Sequence, residues 1–341
     1  VIVEFESFTP SNTVVSGELV HSTPTALSVA RGYLAGASVG NYALFAGGLD
    51  DSWSTNTTVD AYNTDLVRST PTALSAARES LAGASVGNYA LFAGGVYDIF
   101  SGSYRNVVDA YNTDLVHSTP TALSVARGHL AGASVGNYAL FAGGYGSGGD
   151  RDTVDAYNAS LVRSTPTALS VARGDLAGAS VGDYALFAGG SSSGNTVDAY
   201  NASLVRSTPT ALSVARGYLA GASVGNYALF AGGLDDSWST NTTVDAYNAS
   251  LSRSTPTALS VARADLAGAS VGNYALFAGG HDDSRRDTVD AYTPQVSVVR
   301  LYMPVGTKYR FGSGQEQTAA TSVVEISPPL TGYIKYKKGV I

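Results

Sequence analysis

Three residues of this 341-residue chain, His129, Asp175 and Asp265, carry side chains suited to acid–base work and share one recurring position, two residues before a constant "AG" in a repeated stretch. Hydrolysis or epimerisation of a sugar would need such groups, a carboxylate pair or a poised imidazole, gathered at one place. The other copies place Tyr33, Ser80 and Tyr218 there. A repeat readily brings unrelated polar residues to one position, so the expectation is a non-enzymatic protein without catalytic residues. An enzyme acting on glycans, a hydrolase or isomerase, is the alternative.

A second set of residues suits contact more than catalysis. Six variable inserts separate "ALFAGG" from the following "VDAY": "LDDSWSTNT" twice, "VYDIFSGSYRN", "YGSGGDRD", "SSSGN" and "HDDSRRD". They hold both tryptophans, Trp53 and Trp238, with Tyr97, Phe100, Tyr104, Tyr145 and His281. Aromatic rings on loops give a large, rigid contact area, and their faces stack on sugar rings. The competing expectation is that each ring folds back to stabilise its own loop.

Several chemistries are excluded. Without a cysteine the chain has no disulfide, thiolate metal site or cysteine nucleophile. The Asp-rich inserts (Asp50, Asp51, Asp235, Asp236, Asp282, Asp283) match no calcium-loop spacing, so no metal and no cofactor is expected. The net charge of −7, with no Lys/Arg cluster interrupting the repeats, argues against nucleic acid as a partner. No apolar run approaches the roughly 20 residues of a membrane span, so no membrane insertion is expected.

The elements that must position these residues follow from repetition. Gly47, Gly94, Gly143, Gly189, Gly232 and Gly279 each open a Gly-Gly pair, at steps of 47, 49, 46, 43 and 47 residues. Within each unit four short runs such as "LAGASVG", "NYALFAGG", "TVDAYN" and "LVRSTPTALS" read as strands bounded by turn residues; a helix over "TPTALSVAR" is the second choice. Six such units predict an all-β, six-bladed propeller. The Ala/Gly/Ser strand belongs innermost, where large side chains do not fit. The inserts and the variable position before "AG" then fall on one face, around the channel mouth. Arg31, Arg78, Arg127, Arg173, Arg216 and Arg263, fixed in every unit, are expected to pair with blade aspartates such as Asp60.

The double glycine after an apolar strand, Gly47-Gly48, with Tyr62 on the next strand and Arg78 before the following unit, resembles the kelch repeat family. The resemblance spans residues 19 to 292 and extends to near-identical kelch-like arrays of gut Firmicutes and their prophages, among surface and phage structural proteins. It departs from the family in having "LVRSTP" or "LVHSTP" where the fourth strand usually carries a tryptophan. The copper oxidases among kelch-like propellers need a cysteine joined to a tyrosine, which this chain lacks. The resemblance implies a virion or cell-surface, extracellular location and receptor binding.

The domain reading is a propeller over 19–292, with residues 19–28 completing the last blade and closing the ring. An N-terminal strand in 1–18 joins a C-terminal β module, 293–341, whose runs "VSVVRLYMP", "TKYRFGSG", "TSVVEIS" and "GYIKYKKGVI" read as strands. Residues 293–341 carry six Lys/Arg against two Glu, or +4, leaving −11 for the rest. A basic module beside an acidic propeller suggests attachment to a virion or surface assembly partner, and a homo-oligomer is compatible with it. The expected function is display: the variable face recognises a cell-surface glycan or protein. A purely architectural assembly protein is the third alternative.

Overall fold

Residues with almost no side chain decide how closely the sheets of this protein can approach. The computed structural model describes residues 25–97, 102–191, 194–271 and 273–294, with the strands Val299–Tyr302, Lys308–Tyr309, Gln317–Thr318 and Val323–Ile326. It is an all-β, six-bladed propeller, and the described residues include no helix. In the third blade the strands Ala131–Val135, Tyr138–Ala142, Val154–Asn158 and Arg163–Ser164 are neighbours in chain order and antiparallel. The first five blades share this plan. Among the described residues the sixth shows three strands, Ala267–Val271, Tyr274–Ala278 and Val289–Tyr292.

Alternation along the second strand joins blade to blade. Ala139 and Phe141 pack on Ala82, Ala84, Leu91 and Val108 of the blade before. Leu140 and Ala142 face the other way, onto Ala185, Phe187 and Tyr200 of the blade after. Both faces of the strand are thus buried, which is where the apolar drive for the ring resides. On the innermost strands Gly132 lies so close to its neighbour that a Cβ there would sit 2.2 Å from the Gly83 oxygen. A serine ladder runs along the same strands: the Ser85 N–H donates to Ser134 Oγ at 3.2 Å, and that hydroxyl donates to the Ser85 carbonyl at 2.7 Å. The central channel they line encloses 430 Å³.

The fourth strand is far shorter than its sequence suggests. In place of a strand through "LVRSTPTALS" the structure has two residues, Arg163–Ser164, and then an irregular link. Leu161 lies in a tight turn at φ 60°, and Pro166 has no N–H to continue the ladder. The link instead crosses to the next blade, where Thr167 accepts from the Tyr200 hydroxyl at 2.8 Å and the Ser170 N–H donates to Asp198 at 3.1 Å. The same holds at the start of the chain. Thr25 accepts from Tyr62 and the Ser28 N–H donates to Asp60, so residues 25–28 dock on the first blade and do not complete the sixth. The remainder of the expected closing strand, residues 19–24, lies outside the described residues.

One junction differs from the other five. Phe92, Phe141, Phe187, Phe230 and Phe277 are fully buried against the preceding blade, whereas Phe45 of the first blade is 36% exposed. Among the described residues the serine ladder runs from Ser38 to Ser270 without returning to Ser38. Every residue of Ala267–Val271 is exposed. The sixth and first blades therefore form a seam.

The chain divides into two compact units, Ser22–Thr293 and a second drawn from Val1–His21 with Pro294–Ile341. In the second, Val299–Tyr302 pairs antiparallel with Val323–Ile326, and Lys308–Tyr309 with Gln317–Thr318. The strand expected in 1–18 and the run "GYIKYKKGVI" lie outside the described residues.

Candidate functional site

Each link ends in a residue forced into the left-handed backbone region. Tyr33, Ser80, His129, Asp175, Tyr218 and Asp265 have φ between 51° and 55°, a conformation that non-glycine residues seldom adopt. They are chained to one another: the N–H of Ser80 donates to Tyr33, His129 to Ser80, Asp175 to His129, Tyr218 to Asp175 and Asp265 to Tyr218, at 2.9–3.0 Å. One residue per blade thus lines the channel mouth, and each after Tyr33 is held by the one before. Strained backbone is kept in six places while the side chains on it vary.

The inserts stand beside this ring because the double glycine lets them. Gly94 at φ 67° and Gly95 at φ 111° press against the carbonyls of Arg127 and Glu79, and a Cβ on either would lie within 2.8 Å of those oxygens. The chain leaving Gly95 can then pair Val96 with Glu79, as Leu49 pairs with Gly32, Tyr145 with Gly128, Leu234 with Gly217 and His281 with Ala264. Inserts and mouth ring thus share one face.

Polar groups converge there. His129 Nδ1 lies 3.0 Å from Asp175 Oδ1, and burial, with the Asp175 carboxylate, pushes the Tyr218 hydroxyl pKa up. His281 Nε2 lies 2.8 Å from Asp265 Oδ2. Burial works against a charged His129, yet the Asp175 carboxylate holds its pKa above the ordinary imidazole value. Asp265 is pushed up, chiefly by burial, with Asp175 adding like-charge repulsion. The sequence-based candidates His129, Asp175, Tyr218, Asp265 and His281 are therefore brought together.

Sequence reasoning missed Glu79. It is buried beside the ring, where the equivalent residues are glycine or alanine. Its Oε2 accepts from the Ser80 hydroxyl at 2.5 Å and its Oε1 has no hydrogen-bond partner. Burial raises its pKa. The signal was present as "ARES" where the other units read "ARG" or "ARA". A carboxyl whose folded pKa lies above its unfolded value binds more protons when folded, so its contribution to stability falls as pH rises between the two values. Glu79→Gln is expected to raise the unfolding midpoint at pH 7, with the gain vanishing below about pH 4.5, the unfolded value. A midpoint difference independent of pH would show that folding does not raise the Glu79 pKa.

The insert aromatics divide between the two expectations. Tyr104 packs on Tyr145 of the next insert with ring centroids 5.8 Å apart, and the Arg105 guanidinium sits 4.8 Å over the Tyr97 ring. These rings stabilise their loops. Trp53 and Trp238 point outward, 67% and 73% exposed. Phe100 lies outside the described residues. Beside Trp238, at 6.2 Å between centroids, the Tyr218 ring forms one wall of a pocket of 140 Å³ completed by Gly190, Ser191, Gly217, Leu234, Asp235 and Asp236.

The fixed arginines do not reach the mouth. Arg127 is fully buried, 2.9 Å from Asp155, and donates to the Phe141 carbonyl at 3.0 Å. Arg31, Arg78, Arg173, Arg216 and Arg263 make the same pair with Asp60, Asp109, Asp198, Asp245 and Asp290 at 2.6–2.8 Å. Asp50 and Asp235 are spent inside their loops, each accepting two backbone N–H bonds. Among the described residues no cluster of three His, Asp or Glu is arranged to hold a metal ion. No protein-family model and no curated protein sequence matches the chain.

Proposed function

We propose that this protein is a non-enzymatic binding and display protein whose insert face recognises a glycan or protein on a cell surface. The observation that carries the reading is the mouth ring: six residues in one strained conformation, one from each blade, whose side chains vary while the blades beneath them are nearly identical. Preorganised backbone with variable side chains suits recognition, because little ordering entropy is lost on binding. The resemblance to kelch-like arrays of gut Firmicutes and their prophages supports a place on a virion or cell surface. The basic terminal module is the part through which we propose it is mounted on an assembly partner.

The test is a screen of the full chain against purified glycans and intact cells beside a variant with Trp53→Ala, Tyr97→Ala, Phe100→Ala and Trp238→Ala. Binding by the parent and its loss in the folded variant is the expected result. Equal binding by both would remove the insert face from the function.

A second reading rests on Glu79, a buried carboxyl with raised pKa and one unpartnered oxygen near His129 and Asp175. Such a group is equipped to donate a proton to a leaving oxygen. Turnover of a bound saccharide by the parent that Glu79→Gln abolishes would replace the display reading with that of a glycan-active enzyme.

A further inference from the structure

The pocket at Trp238 has a twin in the sequence of its neighbours. The first and fifth units share the insert "LDDSWSTNT" and the mouth tyrosine, Tyr33 in one and Tyr218 in the other. Their loops fold alike: Trp53 and Trp238 both sit at φ 59°, their N–H groups donate to the Asp50 and Asp235 carbonyls at 3.0 and 2.9 Å, and the same aspartates brace the serines on either side. Each tyrosine also follows a blade whose mouth residue is aspartate, Asp175 before Tyr218 and Asp265 before Tyr33.

Duplication of the unit explains the shared tyrosine and insert, but it does not account for the aspartates. The blades that carry them have unrelated inserts, "SSSGN" and "HDDSRRD". Even their imidazole partners come from different places, since His129 belongs to the preceding blade and His281 to the aspartate's own insert. The two places thus share the order of a mouth aspartate, a mouth tyrosine in the next blade and that blade's insert tryptophan, with the tyrosine and tryptophan rings in contact at Tyr218 and Trp238.

We infer that the mouth carries two subsites of the same composition, each for a single pyranose ring, formed by Asp175, Tyr218 and Trp238 and by Asp265, Tyr33 and Trp53, so that the ligand is a repeating glycan held at two places. The inference rests on the glycan-binding reading above. The tilted Tyr218 and Trp238 rings offer apolar faces to the C–H face of a sugar, while Asp236 and the backbone of Gly217 and Ser191 face its hydroxyls. At 140 Å³ the pocket falls below the about 300–1,000 Å³ of ordinary small-molecule sites, so it takes one ring and leaves the chain outside. The second trio spans the seam. Tyr33 is 57% exposed there, and Asp265 is near enough to act on its hydroxyl electrostatically. Two linked rings binding two sites on one face gain effective concentration with no new contact.

The chain has only two tryptophans, one in each proposed subsite, so fluorescence reports both. The experiment titrates the full chain, Trp53→Ala and Trp238→Ala with glucose, galactose, mannose and N-acetylglucosamine, and with their linear oligosaccharides, after thermal unfolding has confirmed that all three proteins are folded. Each variant retains one reporter. One monosaccharide is expected to perturb Trp238 in the first variant and Trp53 in the second with similar affinity. Its oligosaccharide should bind the parent on the order of 100-fold more tightly than either variant. Oligosaccharide affinity unchanged by Trp53→Ala would overturn the twin subsite and leave glycan recognition standing. No response to any saccharide, with the parent still binding cells through its insert rings, would refute the sugar subsites and keep the display reading. No binding of any kind would refute both.

Discussion

Replacing Arg127 with alanine is expected to destabilise the propeller by about 3–5 kcal/mol, the usual loss when one partner of a buried ion pair is removed. The guanidinium is fully buried and serves three acceptors: Asp155 at 2.9 Å, the Phe141 carbonyl at 3.0 Å and the Val125 carbonyl at 3.4 Å. Burial alone pulls its pKa below the ordinary arginine value, and Asp155 opposes that pull. Without Arg127 the buried Asp155 carboxylate keeps the N–H and hydroxyl of Ser124 but loses its nearest and only fully buried charge partner. The unfolding midpoint should fall on the order of 10 °C for a unit of this size. Arg163 supplies the control. It lies 3.7 Å from the same carboxylate with its side chain 28% exposed, and Arg163→Ala should cost about 1 kcal/mol or less. Calorimetry of the two variants decides the matter; equal losses would mean that the inner arginines are not what fastens each link to the next blade.

The second large effect concerns a single methyl group. Gly132→Ala would place a Cβ 2.2 Å from the Gly83 oxygen and 2.9 Å from its carbonyl carbon, and backbone on both sides leaves no rotamer to relieve the contact. The blades must separate, which breaks the serine bonds beside them. A loss near 3 kcal/mol is expected, at the upper end of ordinary overpacking. Gly36 occupies the equivalent position in the first blade, yet there the nearest atom to an added Cβ is Phe45 at 3.8 Å, because the seam leaves it uncrowded. Gly36→Ala should therefore be close to neutral. Urea unfolding of both variants reads the two junctions separately. A Gly36→Ala loss as large as that of Gly132→Ala would show that the sixth junction closes in solution as the other five do.

These two predictions also separate what the repeat encodes from what the ring imposes. The period of the Gly-Gly pairs, the small innermost strand and the pairing of each fixed arginine with a blade aspartate were all legible from sequence. Each is a property that every unit must satisfy identically. The sharing of one face by inserts and mouth residues was legible for a related reason, since antiparallel order alone returns the chain to that side. Knowledge of one unit sufficed.

Tertiary structure decided whatever depends on a neighbour. "LVRSTPTALS" has the residues of a strand, but Pro166 and the bonds of Thr167 and Ser170 to the next blade leave only Arg163–Ser164 in the sheet. Glu79 looks like an isolated surface substitution until Val96 pairs with it and buries it. Residues 25–28 look like the end of a ring and prove to be the start of the first blade. The sequence by itself determined the blade, its repetition and the side on which it varies, because those follow from alternation and period within one unit. Only the tertiary structure decided that Asp175 meets both His129 and Tyr218, because those contacts lie between units, where no periodicity specifies which side chains face each other.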